Sequence, residues 1–217
     1  MPLMAEGKAG APWVKHSVEE NSIKMYDKQG CVLRIETTIN NPRRFRVRRW
    51  VTRNGKRVLA WVPMRKGIAD MGRRVQICRA ANRRYLEALA EVACQVPAAR
   101  LLDPVSRPVR VGSRCYRPLR PIAPDDSRLF AAMQEGQFLI QGFRNRDLRR
   151  ILLGGNPDRA ARRRAAARIS RLLALLSAHG LIYKVPHTHL YRITKKGLQV
   201  MTTARQLRDC SPSALAA

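Results

Sequence analysis

Arg164, Arg168 and Arg171 stand at i, i+4 and i+7 within a stretch that carries no acidic residue. On a helix that spacing stacks three guanidinium groups along one stripe. A stripe of planar, five-donor forks suits phosphate oxygens and the paired acceptors on a guanine edge. Ala165, Ile169, Leu172 and Leu176 repeat the same spacing one residue later, about 100° round the axis, and Leu173 widens their stripe. The pattern predicts a helix over residues 158–178 that packs on one face and presents cations on the next. Arg162 and Arg163 extend the basic stripe toward its N-terminus.

Other residue sets could do different chemistry. Tyr26 with Glu36 offers a hydroxyl nucleophile beside a carboxylate, and the surrounding "KMYDK" and "RIE" resemble a stretch of plasmid and phage replication initiators. That resemblance implies DNA nicking by Tyr26 with Glu36 and a metal, but the His-rich metal motif those nucleases use has no counterpart in this sequence. The alternative is a hairpin with Tyr26 on its packed face and a Lys–Glu cross-strand pair. His187-x-His189 puts two imidazoles on one side of an extended segment, yet a zinc site needs three or four ligands. No metal or other cofactor is expected. The five cysteines (Cys31, Cys78, Cys94, Cys115, Cys210) form no Cys-x-x-Cys pair and point to a reducing cytosol rather than a disulfide framework. Phosphate-cradling glycine loops, a Ser-His-Asp order and coupled carboxylates do not occur. The chain is not expected to be an enzyme.

The elements that must position the basic stripe are legible around it. Asp126-Ser127 can cap a helix bearing Leu129, Phe130 and Met133, and Phe138-Leu139-Ile140 follow Gly136 as a short apolar segment. Asn145 can cap a second helix with Leu148, Ile151 and Leu152 inward, stopped by Gly154-Gly155-Asn156-Pro157. Asp158 is a suitable cap for the third, basic helix. His179-Gly180 ends it. Tyr183-Lys184-Val185 and Leu190-Tyr191-Arg192-Ile193 are β-prone runs around the tip Pro186-His187-Thr188-His189, and Thr194 caps a last helix with Leu198, Met201 and Leu207.

Upstream, residues 1–20 read as a flexible arm. Ser22 to Tyr26 and Val32 to Ile39 predict a hairpin across Asp27-Lys28-Gln29-Gly30, and Asn54-Gly55 predicts a second one. A helical period over residues 64–93 runs through Ile68, Met71, Val75, Cys78 or Arg79, Asn82, Leu86, Leu89 and Val92. The proline-punctuated residues 98–125 read as a basic linker. Residues 21–97 thus make two hairpins and a helix, a set that suits part of a larger β-containing domain or a surface covered by a protein partner.

Charge sharpens the reading. Lys and Arg total 43 against 15 acids, a net +28 on 217 residues, and only nine of the cations are lysines. Codon bias accounts for an Arg-rich ratio, but not for acids vanishing from residues 37–69 and 159–208. A large, localised excess implies a polyanionic partner. No run is long and apolar enough to span a bilayer, and the start lacks a signal peptide, so a cytoplasmic protein without a membrane partner is expected.

The run "LLALLSAHGLIYKV…HLYRITKKG" resembles the MarR and ArsR types of bacterial winged-helix regulator, over about two fifths of the chain. The resemblance rests on the Leu-rich third helix, the Gly-Leu-Ile exit, the Tyr-and-Arg wing strand and the T-x-x-G start of the last helix. It implies a winged-helix domain over residues 126–209, with a tail over 210–217, in which the third helix enters the major groove. Arg162, Arg163, Arg164, Arg168 and Arg171 would then face the groove, Lys184, His187, Thr188 and His189 would be wing contacts, and Arg144 and Arg146 would flank them. The long terminal helices through which those regulators dimerise are not matched, which leaves the oligomeric state open. The chain also resembles a group of bacterial proteins sharing "SIKMYDKQGCVLRIETTIN" and "GFRNRDLR", where these segments follow a longer N-terminal region.

The expectation is therefore an α+β protein that binds double-stranded DNA in a regulatory or mobile-element context. RNA or single-stranded nucleic acid, with Phe45 and Trp50 among arginines as a stacking pair, is an alternative. A remnant or subunit of a DNA-nicking initiator or transposase is another.

Overall fold

The computed structural model describes residues 13–28, 31–90, 96–154 and 159–211 of the chain. The protein is α+β, and its contacts divide it into two units: Met1–Glu87 with Gly136–Gln141, and Ala88–Glu135 with Gly142–Ala217.

In the first unit, alternating apolar residues build the antiparallel sheet β1 (Trp13–Val18), β2 (Asn21–Lys28) and β3 (Val32–Ile39), in that spatial order. Residues 13–18, expected in a flexible arm, are thus a paired strand, with Trp13 opposite Tyr26 and Val18 opposite Asn21. Residues 1–12 of that arm, and Gln29-Gly30 of the first turn, lie outside the described residues. Asn21 closes the far end by accepting the Asn41 N–H at 2.9 Å and donating to the Asn41 carbonyl at 3.0 Å. The second hairpin, β4 (Arg46–Arg53) with β5 (Lys56–Pro63), turns at Asn54-Gly55 as expected. Both turn residues have positive φ, +49° and +71°, the backbone sign of a type I′ turn.

Helix α1 (Met71–Ala90) covers the open edge of β3. Arg74 donates to the Ile39 carbonyl at 3.3 Å, the Cys78 thiol to Thr37 O at 3.7 Å and Asn82 to Ile35 O at 3.1 Å. Four residues of helix rise about 6 Å and two residues of strand about 6.6 Å, so the two repeats stay in step. Asn82 also accepts the Thr37 hydroxyl at 2.6 Å. This polar ladder sets the helix's rotation. Ile77, Ala81 and Tyr85 point into the core, whereas Met71, Val75, Leu86 and Leu89 of the expected inward stripe remain exposed. Val92, the end of that stripe, lies outside the described residues. The core itself gathers Val18, Ile23, Ile39, Phe45, Met64, Ile77, Tyr85 and Ile140. Replacing Asn82 with Ala should cost about 1–2 kcal/mol, because it strands the Ile35 carbonyl and the Thr37 hydroxyl. Urea unfolding would measure it, and a variant as stable as the parent would show the ladder to be incidental.

Short helix α4 (Phe138–Gln141) belongs to this first unit. Its carbonyls at Leu139 and Ile140 receive Arg84 at 2.8 and 2.9 Å. By sequence this apolar segment is expected in the C-terminal module. Ile140, fully buried, fills the N-terminal core instead.

The second unit begins with a further difference. Residues 98–125, expected as a linker, carry α2 (Ala98–Leu102) and the hairpin β6 (Val109–Val111) with β7 (Arg114–Tyr116). Leu101, Leu102, Val105 and Leu119 are buried, and the Leu119 N–H closes on Val105 O at 2.9 Å. The prolines punctuate turns of a folded segment here, which short apolar anchors hold down. Next come α3 (Pro124–Met133), α5 (Asn145–Leu153), α6 (Arg159–Ala178), β8 (Ile182–Lys184), β9 (Tyr191–Ile193) and α7 (Lys195–Asp209). Helix α3 starts one turn earlier than expected, with Ala123 at the cap and Pro124 in the first turn. Proline suits that position because it lacks only an N–H that would have no partner in the helix.

Candidate nucleic-acid interface

The basic helix α6 is held from both ends of its apolar stripe. Ile169, Leu173 and Leu176, at i, i+4 and i+7, are buried against α5 and β8, and Leu175 is buried as well. Leu172 is only half-buried, and Ala165 likewise. Arg162, Arg163, Arg164, Arg168 and Arg171 are all exposed. Leu175 continues the spacing of Arg164, Arg168 and Arg171 by four more residues, yet it is 5% exposed. The solvent-facing cationic stripe therefore ends at Arg171, one turn before a buried leucine takes its place. Arg168 also lines a small pocket together with Asp125, Asp126, Leu129 and Leu172.

Helix α5 is tied to the middle of α6 by Asn145. Its amide donates to Ala166 O and to the Ser170 hydroxyl, both at 2.9 Å. Asn145 was expected to cap α5; the cap is Arg144, whose N–H donates to the Asp147 carboxylate at 2.8 Å. The N-cap role passes to the neighbouring residue because the Asn145 side chain is needed for the helix–helix link. Arg144 is half-buried and Arg146 exposed, 3.7 Å from Asp147. The stop residues Gly155-Asn156-Pro157 and the expected cap Asp158 lie outside the described residues.

The hairpin after α6 has an additional pairing that the sequence reading missed. Phe143 exchanges backbone hydrogen bonds with Tyr191 at 2.8 and 3.0 Å, so β9 is flanked by β8 on one side and Phe143 on the other. Gly142, at φ +84°, makes this possible, since a Cβ there would collide with the Tyr191 carbonyl. The signal in the sequence was a lone Gly before an aromatic residue, which fixes no pairing by itself. At the tip, His187 is exposed with φ +59° and His189 is exposed. Thr188 is half-buried and acts within the turn, donating to Val185 O at 2.9 Å and accepting from the Leu190 N–H at 3.1 Å. Lys184 and Tyr183 are exposed on β8. Among the described residues no third His, Cys, Asp or Glu joins His187 and His189 in a metal-sized cluster.

Helix α7 is locked to the exit of α6 through Thr194. Its hydroxyl accepts the Gly197 N–H at 2.9 Å, the expected cap, and donates to Gly180 O at 2.8 Å. The buried His179 ring meets the Arg117 carbonyl through Nε2 at 2.9 Å, and Lys196 donates to the His179 carbonyl at 3.1 Å.

The Tyr26–Glu36 pair lies elsewhere, in the first unit, and faces away from its core. Glu36 accepts Tyr26 Oη at 2.9 Å, Lys24 Nζ at 2.8 Å and Arg34 Nε at 2.6 Å. Hydrogen bonds from Lys24 and then Tyr26 hold the Glu36 carboxyl below its usual range. Lys24 and Glu36 are direct cross-strand partners, as one reading expected. Tyr26 is not on the packed face, because Met25 and Ile35, its neighbours of opposite parity, take that side. Phe45, expected beside Trp50 as a stacking partner, is 5% exposed and belongs to the core. Among the described residues no helix is long and apolar enough to cross a membrane.

No protein-family model matches the chain, and no curated protein or solved structure matches it.

Proposed function

We propose that the chain binds double-stranded DNA through its C-terminal unit, acting as a winged-helix module in a regulatory or mobile-element context. The observation that carries this reading is the exposed stripe Arg164, Arg168 and Arg171 on a helix whose opposite face is buried. No carboxylate occurs in residues 159–208, so every charged side chain that α6 and the hairpin themselves contribute is cationic. The order helix, helix, basic helix, hairpin, helix supports the same reading. Asn145 fixes α5 against α6, which holds the basic face of α6 in a set orientation on the unit. Exposed Lys184, His187 and His189 supply a second contact on the adjacent hairpin, while Thr188 shapes its tip. Phosphate contacts by these groups set position on the duplex, and arginine forks aimed at base edges set sequence preference.

The test is fluorescence anisotropy on labelled duplex across a salt series. Affinity should fall steeply with salt, reflecting several released counterions. Changing Arg164, Arg168 and Arg171 together to Ala should weaken binding by more than about tenfold and flatten the salt slope by up to about three. Circular dichroism should show the fold unchanged, since all three side chains are exposed. A folded triple variant that binds duplex as well as the parent would remove α6 from the interface.

A further inference from the structure

The second hairpin presents an aromatic and cationic face that the duplex-binding surface does not use. Directly paired residues of an antiparallel ladder share one side of the sheet. The pairs Arg46–Pro63, Arg48–Trp61, Trp50–Leu59 and Thr52–Arg57 therefore place both indoles and three arginines together. Trp50 is 58% exposed and Trp61 40%. The opposite side is the structural one: Val47 packs on the core and Arg49 pairs with buried Asp70 at 3.1 Å.

Each indole carries a guanidinium. Arg57 lies 5.8 Å from the Trp50 centroid, and Arg73 of α1 lies 6.0 Å from that of Trp61. Arg73 is steadied by donating Nε–H to the Arg46 carbonyl at 3.1 Å. Trp50 and Trp61 are diagonal neighbours across the ladder, about 7–8 Å apart at the backbone. That is roughly twice the 3.4 Å rise between stacked bases. No acidic residue occurs in residues 37–69, so nothing along the hairpin itself offsets the charge.

We propose that this face binds unpaired nucleotides of a single strand, with bases stacking on Trp50 and Trp61 and phosphates meeting Arg46, Arg48 and Arg57. Every base has a π-face to offer, but in a duplex that face is covered by its neighbours, so the surface selects single strands. Arginine beside an indole strengthens such a platform, because the cation lies over the ring's negative face and within reach of the strand's phosphates. The site uses none of the α6 residues and does not rest on the duplex reading.

The experiment titrates the full chain with short oligothymidylate and oligouridylate, following tryptophan emission and the anisotropy of a labelled strand. Binding should quench emission. Trp50→Ala with Trp61→Ala should lose single-strand affinity by about tenfold or more, while Trp50→Tyr with Trp61→Tyr should keep most of it. Binding to heparin, a polyanion without bases, should not distinguish the parent from the Ala pair. The Arg164, Arg168 and Arg171 triple variant should retain single-strand binding, so failure of one site is visible apart from failure of the other. Equal single-strand affinity in the parent and the Ala pair overturns the proposal. So does a loss that is the same for heparin as for the strands. A blue-shifted emission on phosphatidylserine vesicles, without any response to the strands, would assign the face to a membrane surface and overturn it as well.

Discussion

Replacing Asp126 with Asn is expected to cost about 2–3 kcal/mol of stability at neutral pH and to flatten the protein's acid sensitivity. The carboxylate is 3% exposed and receives Arg117 as a two-pronged fork, at 2.7 and 2.9 Å, plus the Arg120 N–H at 2.8 Å. Burial pushes the Asp126 carboxyl up, but the Arg117 fork and the Arg120 N–H together outweigh it and hold the group below its ordinary value of 3.8. A depressed folded-state pKa contributes stability that is present above the unfolded value and is lost as pH falls through the folded one. The parent should therefore weaken progressively below about pH 4, and the Asn variant should lack this component of the slope. Removing one partner of such a pair leaves the other's donors poorly matched. Arg117 is about half exposed, so water recovers part of the loss and the expected cost lies below that of a fully buried pair. Urea midpoints between pH 3 and 7 would measure both effects. Parallel curves for parent and variant would mean the fork adds nothing beyond its desolvation cost.

That same fork helps to make residues 98–125 a folded segment where the sequence predicts a linker. Arg117 and Asp126 are nine residues apart, with three prolines at 118, 121 and 124 among them. No periodicity announces that a carboxylate assigned to a helix cap will reach back to organise the segment before it. Local patterns fared better. Helix α6 repeats every three to four residues, so its buried and basic stripes follow from spacing alone, and Thr194 caps α7 because the hydroxyl and the Gly197 N–H are neighbours along the chain. Non-local demands decided the rest. The unsatisfied edge of β3 drew Arg74, Cys78 and Asn82 onto its carbonyls and so turned α1 away from its most apolar stripe. An unpaired carbonyl costs more than leaving Val75 or Leu86 partly wet. The partner of Trp50 in the exposed face is Trp61 and not the expected Phe45, and nearness along the chain does not reveal it. The strand register, which puts Trp61 opposite Arg48, is what joins the two indoles.

The largest single-site effect is expected at Gly197. A Cβ at this position would collide with the Leu181 carbonyl oxygen and come within 2.8 Å of its carbon, with the Ile193 side chain at 3.0 Å. Two of these three neighbouring atoms are backbone, and the Leu181 carbonyl is already committed, receiving the Thr194 N–H at 2.9 Å. Nothing flexible is available to move, so Gly197→Ala must shift the start of α7. That shift pulls the Gly197 N–H from the Thr194 hydroxyl and loosens Val200, Met201 and Ala204, all three fully buried. Overpacking of a rigid site together with loss of a cap amounts to about 3 kcal/mol. Calorimetry or urea unfolding would register it as a marked drop in midpoint. The same variant reports on function, because α7 is fastened to the loop between α6 and β8 that sets where the hairpin leaves the basic helix. Duplex affinity measured well below the new midpoint should fall less than in the arginine triple variant, since every candidate contact side chain is still present. An Ala variant as stable as the parent would mean that α7 can slide away from Leu181 without cost. The T-x-x-G motif would then record helix capping alone, and not the close approach of α7 to the exit from α6.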